Sequence, residues 1–404
     1  MRELPGDGQT FEDIRTRNLL YVDKTKWLYP LVKNPGSYFL ARPYGFGKTL
    51  PVGALQKILE GEREFLKGLW IDSLDYDFEE HSVIKLTMPG DREKWSDFAI
   101  SLVREIKEEA SFKNVIPSRA IKSGEDAASP KGVSPGDVLW ELVSALRRGY
   151  DAPVAILIDD CDAPIRRVLG NGYEGRRISD ILQSFHSRVK IMRERGMVNF
   201  VFVTGITKFA RSFGFRGFAD YTDLTMDSEF NAICGFTPEE FENRFQAYLP
   251  EILDLRKSEG LMPADADAES LMKEIEDWYG GYSWDGKNRV LNPWSVFRML
   301  RAKELKPHWF KTGSQKFLVE VARRDGQTPA FGETAEMDEC EFDSVDVEKF
   351  NRDALRFYEG SLTVDMKSSD GRYFFKRPNK DVRRAMDVKV PGFSPDKKNE
   401  KTLN

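Results

Sequence analysis

Three short stretches of this sequence carry residue types that could handle a polyphosphate. The first is Gly47-Lys48-Thr49, which follows the apolar triplet Tyr38-Phe39-Leu40 and the segment Arg42-Pro43-Tyr44-Gly45-Phe46. A phosphate-wrapping loop needs backbone N–H groups that close around the anion, a lysine for the β/γ oxygens and a hydroxyl for magnesium. It must also leave a strand and open a helix, because the helix N-terminus faces the anion with positive dipole. Gly47 would let the backbone approach, Lys48 would bring the charge and Thr49 the hydroxyl. The pattern G-x-x-x-x-G-K-[ST] is incomplete, since Arg42, followed by Pro43, stands at its first glycine. A bare Gly-Lys-Thr also occurs in ordinary surface turns, so this loop does not decide the matter alone.

The second stretch lies about 110 residues downstream, where Val154-Ala155-Ile156-Leu157-Ile158 runs into Asp159-Asp160. An unbroken apolar run fits a strand buried on both faces of a parallel sheet. In P-loop enzymes such a strand delivers an aspartate to the magnesium shell. The plainer reading is a strand that ends in carboxylates. The third stretch is Val201-Phe202-Val203 ending in Thr204-Gly205. Parallel strands present their C-terminal ends along one edge, where ligands bind. Thr204 could therefore meet a γ-phosphate or the attacking water, or could equally be a strand-end cap. Lys208, Arg211 and Arg216 follow, and none is given a role.

The elements that must position these residues read as an α/β arrangement. Residues 11–35 suggest a short helix, a strand at 19–22 and a helix through 27–32. Helical periodicity follows the loop to about Gly61 and recurs over 95–110, with a strand at 83–86 between them. Residues 114–136, rich in Ser, Pro, Gly and Lys, read as a surface loop. Ser134-Pro135 then opens a helix over 138–148, and another helix at 178–194 separates the two apolar runs. Strand, helix, strand at this spacing indicates a doubly wound domain. Thr237-Pro238-Glu239-Glu240 starts a helical region that runs to about residue 320. Residues 325–349 hold nine acidic side chains against one basic and read as a solvated connector. A helix over 347–358 and a hairpin around Ser368-Ser369-Asp370-Gly371 make a winged-helix-like tail.

Composition narrows the classes. At 404 residues, with 40% hydrophobic and 31% charged, the chain is too apolar for wholesale disorder and long enough for two or three cores. A net charge of −5 gives no global sign of a nucleic-acid-coating protein. Three scattered cysteines and three histidines, with no CxxC and no ligand spacing, argue against a disulfide framework or a zinc hydrolase. The N-terminal residues are charged, without the apolar core of a signal peptide, and no apolar stretch is long enough to cross a bilayer. The expectation is cytoplasmic, with no membrane association.

Several segments together resemble the AAA-ATPase-like family of bacterial and archaeal P-loop proteins, often fused to a C-terminal PD-(D/E)XK nuclease domain. They include Tyr21-Val22-Asp23-Lys24-Thr25, Ala41-Arg42-Pro43 leading to Phe46-Gly47-Lys48-Thr49, Leu157 through Pro164, Phe202 through Phe209 and Ile233 through Thr237. Further matches are Trp278-Tyr279-Gly280-Gly281-Tyr282, Asn292-Pro293, Trp309 through Gly313 and Pro378-Asn379-Lys380. They run in order from about residue 5 to 385. The family carries arginine where the first Walker A glycine would be, so Arg42 fits the resemblance.

The resemblance implies a P-loop NTPase core with a parallel sheet (AAA-like, 1–236), a helical lid (237–324) and a small α+β tail (325–404). It implies ATP and Mg²⁺ as ligands. The nucleotide would lie on Arg42, Pro43, Tyr44, Gly45, Phe46, Gly47, Lys48 and Thr49, with the metal on Thr49 and Asp159. Asp160 would orient or deprotonate water, helped by Lys48 and with Thr204 as a sensor. The chain departs from the family at Tyr44-Gly45, usually Arg-Arg, at Pro51 and Gly53 in the following helix, and at Asp160, usually glutamate. The altered Tyr44-Gly45, Gly53 and Asp160 make a nucleotide-dependent binding module, a switch with little or no hydrolysis, the alternative. A P-loop kinase has no acceptor signature here. The residues after Lys380 are too few for the nuclease domain, and Asp365-Met366-Lys367 reads as solvated strand, so no nuclease activity is expected. The protein or nucleic-acid partner and the oligomeric state stay open.

Overall fold

A computed structural model describes residues 2–77, 79–118, 133–208, 220–312, 317–319, 321, 332–343 and 351–387. Its centre is a five-stranded, all-parallel sheet in the order β2-β3-β4-β1-β5. The strands are β1 (Ser37–Ala41), β2 (Ser82–Thr87), β3 (Val154–Asp159), β4 (Val198–Gly205) and β5 (Thr222–Asp223). Every residue of β3 is buried, as its unbroken apolar run requires of a central strand. Parallel neighbours need crossovers, and here helices provide them. Helix Thr49–Leu59 packs over β2 and β3, with Phe11–Thr16 and Thr25–Lys33 beside it. Helices Trp95–Phe112, Pro135–Gly149 and Gly172–Glu194 pack together over β2, β3 and β4.

Local chemistry sets the helix starts. Ser134 and Asp137 form a reciprocal capping box ahead of Pro135, and Thr237 and Glu240 do the same at Pro238. Gly53 also has a reason to sit in a helix. A Cβ there would lie 2.8 Å from the Phe11 Cβ, so glycine lets the first helix lie flat against the third.

Residues 19–22 are extended but form no strand. Leu19 and Tyr21 bury into the sheet core, whereas Leu20 and Val22 bury into a second cluster built from residues 236–305. Alternating burial in two cores looks like a strand pattern, although the backbone here joins no ladder: Leu19 N–H donates to the Ile14 carbonyl and Leu20 N–H to the Glu3 carbonyl. That second cluster is formed by helices Pro238–Phe245, Leu249–Ser258, Ala268–Tyr279 and Pro293–Ala302.

The connector expectation also needs correction. Within 325–349 the chain forms β6 (Thr334–Met337), which pairs antiparallel with β8 (Tyr373–Lys376), itself paired with β7 (Thr363–Lys367). The alternation Thr-Ala-Glu-Met buries Met337, packs Ala335 against the core and leaves the polar residues outward, which the acidic composition concealed. Helix Arg352–Tyr358, capped by Asn351, precedes β7, and its apolar face joins the sheet core. Parts of the 114–136 loop, of the connector and of the 347–358 helix, with everything after 387, lie outside the described residues. No helix among the described residues is long and apolar enough to cross a membrane.

Candidate nucleotide site

The site follows from the sheet order. Strand β4 sits between β1 and β3, with Leu40 opposite Thr204 and Ile158 opposite Val203. The parallel direction brings the ends of all three strands to one edge, where Arg42–Thr49, Asp159 and Thr204 meet.

The loop leaves β1 through Arg42 and closes with two left-handed glycines, Gly45 (φ 84°) and Gly47 (φ 76°). The Leu50 N–H donates to the Gly47 carbonyl at 3.0 Å, which begins the helix at Thr49. Gly47 and Thr49 are exposed, and Lys48 is buried with its Nζ 3.4 Å from the Pro43 carbonyl. The departure Tyr44-Gly45 acquires a structural account. Trp294 N–H donates to the Gly45 carbonyl at 3.1 Å, and a Cβ on Gly45 would lie 2.9 Å from the Trp294 Cβ, so a larger residue would push Trp294 off the loop. Tyr44 is half exposed beside it.

Arg42 stands apart from the other loop side chains. Its guanidinium is fully buried and donates to the carbonyls of Ala41 (2.9 Å), Thr225 (3.0 Å) and Phe230 (2.9 Å). It stacks on Trp284 with 3.9 Å to the ring centroid. Burial pushes its pKa down to about 10, which still leaves it charged at neutral pH. The expectation that Arg42 binds nucleotide therefore fails for its side chain, which is spent inside the fold.

Asp159 is buried at the end of β3 and accepts from the Thr204 hydroxyl and, at 3.0 Å, from the Asp160 N–H. Asp160 turns the chain with a left-handed backbone (φ 52°), a conformation that aspartate tolerates better than most residues. Burial raises its pKa; Lys48 opposes that shift, while Asp159 and Asp162 reinforce it. A carboxyl moved towards neutrality suits a group that takes a proton.

Asp162 was not singled out from the sequence, yet it organises the edge. It accepts from Ile206 N–H (2.8 Å), Thr207 N–H (2.9 Å) and the Thr207 hydroxyl (2.7 Å). Its position beside β4 requires Gly205, since a Cβ there would lie 2.7 Å from the Asp162 carboxylate. Only the recurrence of aspartate in Asp159-Asp160-Cys161-Asp162 signalled it. Lys208 is tied up by Asp223 (2.5 Å) and Asp343 (2.8 Å). Burial works against its charge, and Tyr358, Asp223 and Asp343 more than offset that, raising its pKa. Arg211 and Arg216 lie outside the described residues.

Two further elements close on the loop. A small cleft of about 50 Å³, lined by Leu20, Val22, Phe46, Leu50, Ile233 and Phe297, opens beside Gly47. Its lining is mostly apolar. Phe46 in turn packs edge-on against Tyr282 (4.9 Å) and Trp284 (5.3 Å). From the tail, Gly360 comes so near that a Cβ on it would lie 2.9 Å from the Pro43 Cβ. Asp365 and Lys367, the nuclease-like pair, are spent elsewhere. Asp365 pairs with Lys376 (2.7 Å), and the Lys367 amine donates to the Tyr373 hydroxyl (2.7 Å).

The donors present suit magnesium. No group of three or more His, Cys, Asp or Glu that could cage a metal occurs among the described residues. Mg²⁺ needs no such cage, being held by one or two protein oxygens plus phosphates and water. Asp159 and the Thr49 hydroxyl are oxygen donors of that kind.

A family model described as predicted AAA-ATPase matches residues 7–213. An uncharacterised protein of Azotobacter chroococcum mcd 1, from the vnfD 5′ region, is 28% identical over 391 residues, covering 95% of this chain and 69% of its own. Among solved structures, the Aeropyrum pernix ORC1 protein in complex with DNA aligns at TM-score 0.34 and 13% identity, covering 90% of this chain and 91% of that one. Cdc6p from Pyrobaculum aerophilum aligns at TM-score 0.30 and 13% identity, with 89% of each chain covered.

Proposed function

The chain belongs to the predicted AAA-ATPase family, and from that premise we propose that it binds ATP with magnesium at Gly47-Lys48-Thr49 and hydrolyses it. What carries the reading is the shared sheet edge, where the loop after β1 faces the Asp159–Thr204 hydrogen bond between β3 and β4. Gly45 and Gly47 shape the loop for the phosphates, and Lys48 neutralises the β/γ oxygens. Thr49 and Asp159 would hold Mg²⁺, which supplies charge neutralisation of the polyphosphate when bound. Asp160 accepts or orients the proton of the attacking water, and Thr204 fixes the Asp159 carboxylate. The division into a core (1–236), a lid (237–324) and a tail (325–404) belongs to the same proposal, supported by the separate apolar cluster at 236–305.

The metal assignment has its own test. Asp159→Asn should abolish most of the Mg²⁺-dependent tightening of nucleotide and leave metal-free binding close to wild type, because an amide is a poor ligand for a hard dication. Titrating ATP with and without Mg²⁺ measures this directly. A mutant that responds to Mg²⁺ as the wild type does would reduce Asp159 to a strand-end carboxylate.

Asp160 bears on the alternative, a switch that hydrolyses little. Its side chain is one methylene shorter than the usual glutamate and its backbone is left-handed. A base must come within about 2.6–3.2 Å of its proton, directly or through one water. Asp160→Glu should raise kcat without tightening ATP binding, at a stability cost of about 1 kcal/mol for placing glutamate in the left-handed region. Steady-state turnover decides it. A folded mutant as slow as wild type would favour the switch.

A further inference from the structure

Cations near the loop are mostly committed elsewhere. Among the described residues, Arg42 is held by three carbonyls, Lys208 by Asp223 and Asp343, and Lys24 by Glu240 at 2.6 Å. Arg166 differs. It lies in the last turn of the short helix Ala163–Arg167 directly after the acidic turn, and its field reaches Asp160 together with that of Lys48. Its side chain is 19% exposed, and its Nε, without a hydrogen-bond partner among the described residues, lies 3.8 Å from Asp162. Its guanidinium covers the Phe317 ring at 4.7 Å. Among the described residues its nearer ionic partner is Glu359 at 2.7 Å, 193 residues away in the tail.

Glu359 is fully buried, and the next residue, Gly360, touches Pro43 of the phosphate loop. The same tail supplies Asp343 to Lys208. At the sheet edge, then, tail carboxylates satisfy cations that follow both β3 and β4. Removing one partner from a buried pair strands the other charge, which is strongly unfavourable. While Glu359 stays docked beside it, its carboxylate compensates the Arg166 charge and engages Nη2.

We propose that Glu359–Arg166 is a latch on the nucleotide site: Arg166 is the second cation for the terminal phosphate of ATP, and Glu359 withholds it while the tail is docked. This rests on the phosphate-site reading above. ATP competes with Glu359 for Arg166, and capture of the guanidinium by phosphate releases the turn at 359–360 from Pro43. ADP, which lacks the terminal phosphate, leaves the latch closed. By linkage, whatever factor ATP contributes to tail release, tail release returns in ATP affinity.

The test combines nucleotide titration with hydrogen exchange of the helix Arg352–Tyr358, using a non-hydrolysable ATP analogue, ADP and full-length protein. Wild type should show faster exchange of that helix with the ATP analogue than with ADP. Glu359→Gln, which keeps the shape and removes the charge, should bind the ATP analogue about fivefold tighter or more, with ADP affinity unchanged. Arg166→Ala should speed exchange without nucleotide and bind the ATP analogue more weakly than wild type, with ADP affinity unchanged. Unchanged ADP affinity in both variants reports an intact fold. Analogue binding that depends on Lys48 but leaves exchange equal with the two nucleotides overturns the latch and leaves the site reading standing. So does a Glu359→Gln protein that binds the analogue no tighter than wild type. Wild type that binds no ATP at all overturns the site reading, and the latch with it.

Discussion

Arg42→Ala is expected to lower the unfolding free energy by several kcal/mol, more than any other single change in the loop. The guanidinium satisfies three buried carbonyls and stacks on Trp284. Removing it leaves those oxygens without that donor inside the protein, and each unsatisfied group costs about 1–3 kcal/mol. The vacated volume adds a cavity term. Set against a total stability of roughly 5–15 kcal/mol, this is a large fraction. The buried charge has its own desolvation cost, which is why its pKa falls to about 10, and that moderates the net loss without reversing it. Arg42→Lys keeps the charge but cannot serve three carbonyls in one plane, so it should fall between wild type and alanine. Urea denaturation at constant m-value reads the difference. A stable Arg42→Ala protein would mean that water or neighbouring groups take over the three carbonyls.

How much of this was legible in the sequence depends on how local each interaction is. Gly47-Lys48-Thr49 could be read because glycine, lysine and hydroxyl act within one turn, between an apolar strand and a helical pattern. Asp159 and Thr204 could be read because buried parallel strands end their apolar runs at the same edge. The purpose of Arg42 could not, since its acceptors at Thr225 and Phe230 lie more than 180 residues away. Asp162 was hidden for a similar reason, its donors being the backbone and side chain at 206–207. Glu359 sits in a tail whose docking onto Pro43 no periodicity reveals. The misreading of residues 19–22 has a physical cause too, because burial in two cores produces the alternation that a ladder would.

Lys48→Ala is expected to weaken ATP binding at least tenfold. Lys48 follows a loop whose neighbouring Tyr44-Gly45 brings no charge, and the Arg42 guanidinium is turned inward, so Lys48 is the cation that the loop itself offers to the phosphates. A charge-assisted hydrogen bond contributes about 1.5–3 kcal/mol, and each 1.4 kcal/mol is a factor of ten in affinity. The Lys48 side chain is buried against the Pro43 carbonyl at 3.4 Å, a contact long enough that its loss should leave the fold intact. The loss should therefore appear in binding and not in the melting temperature of the free protein.

Calorimetric titration of ATP with Mg²⁺ into wild type and Lys48→Ala tests the central claim most directly. Saturable binding by the wild type, at least tenfold weaker in an equally stable mutant, is the expected result. Equal affinity in the two proteins would contradict the assignment of Gly47-Lys48-Thr49 as the phosphate site.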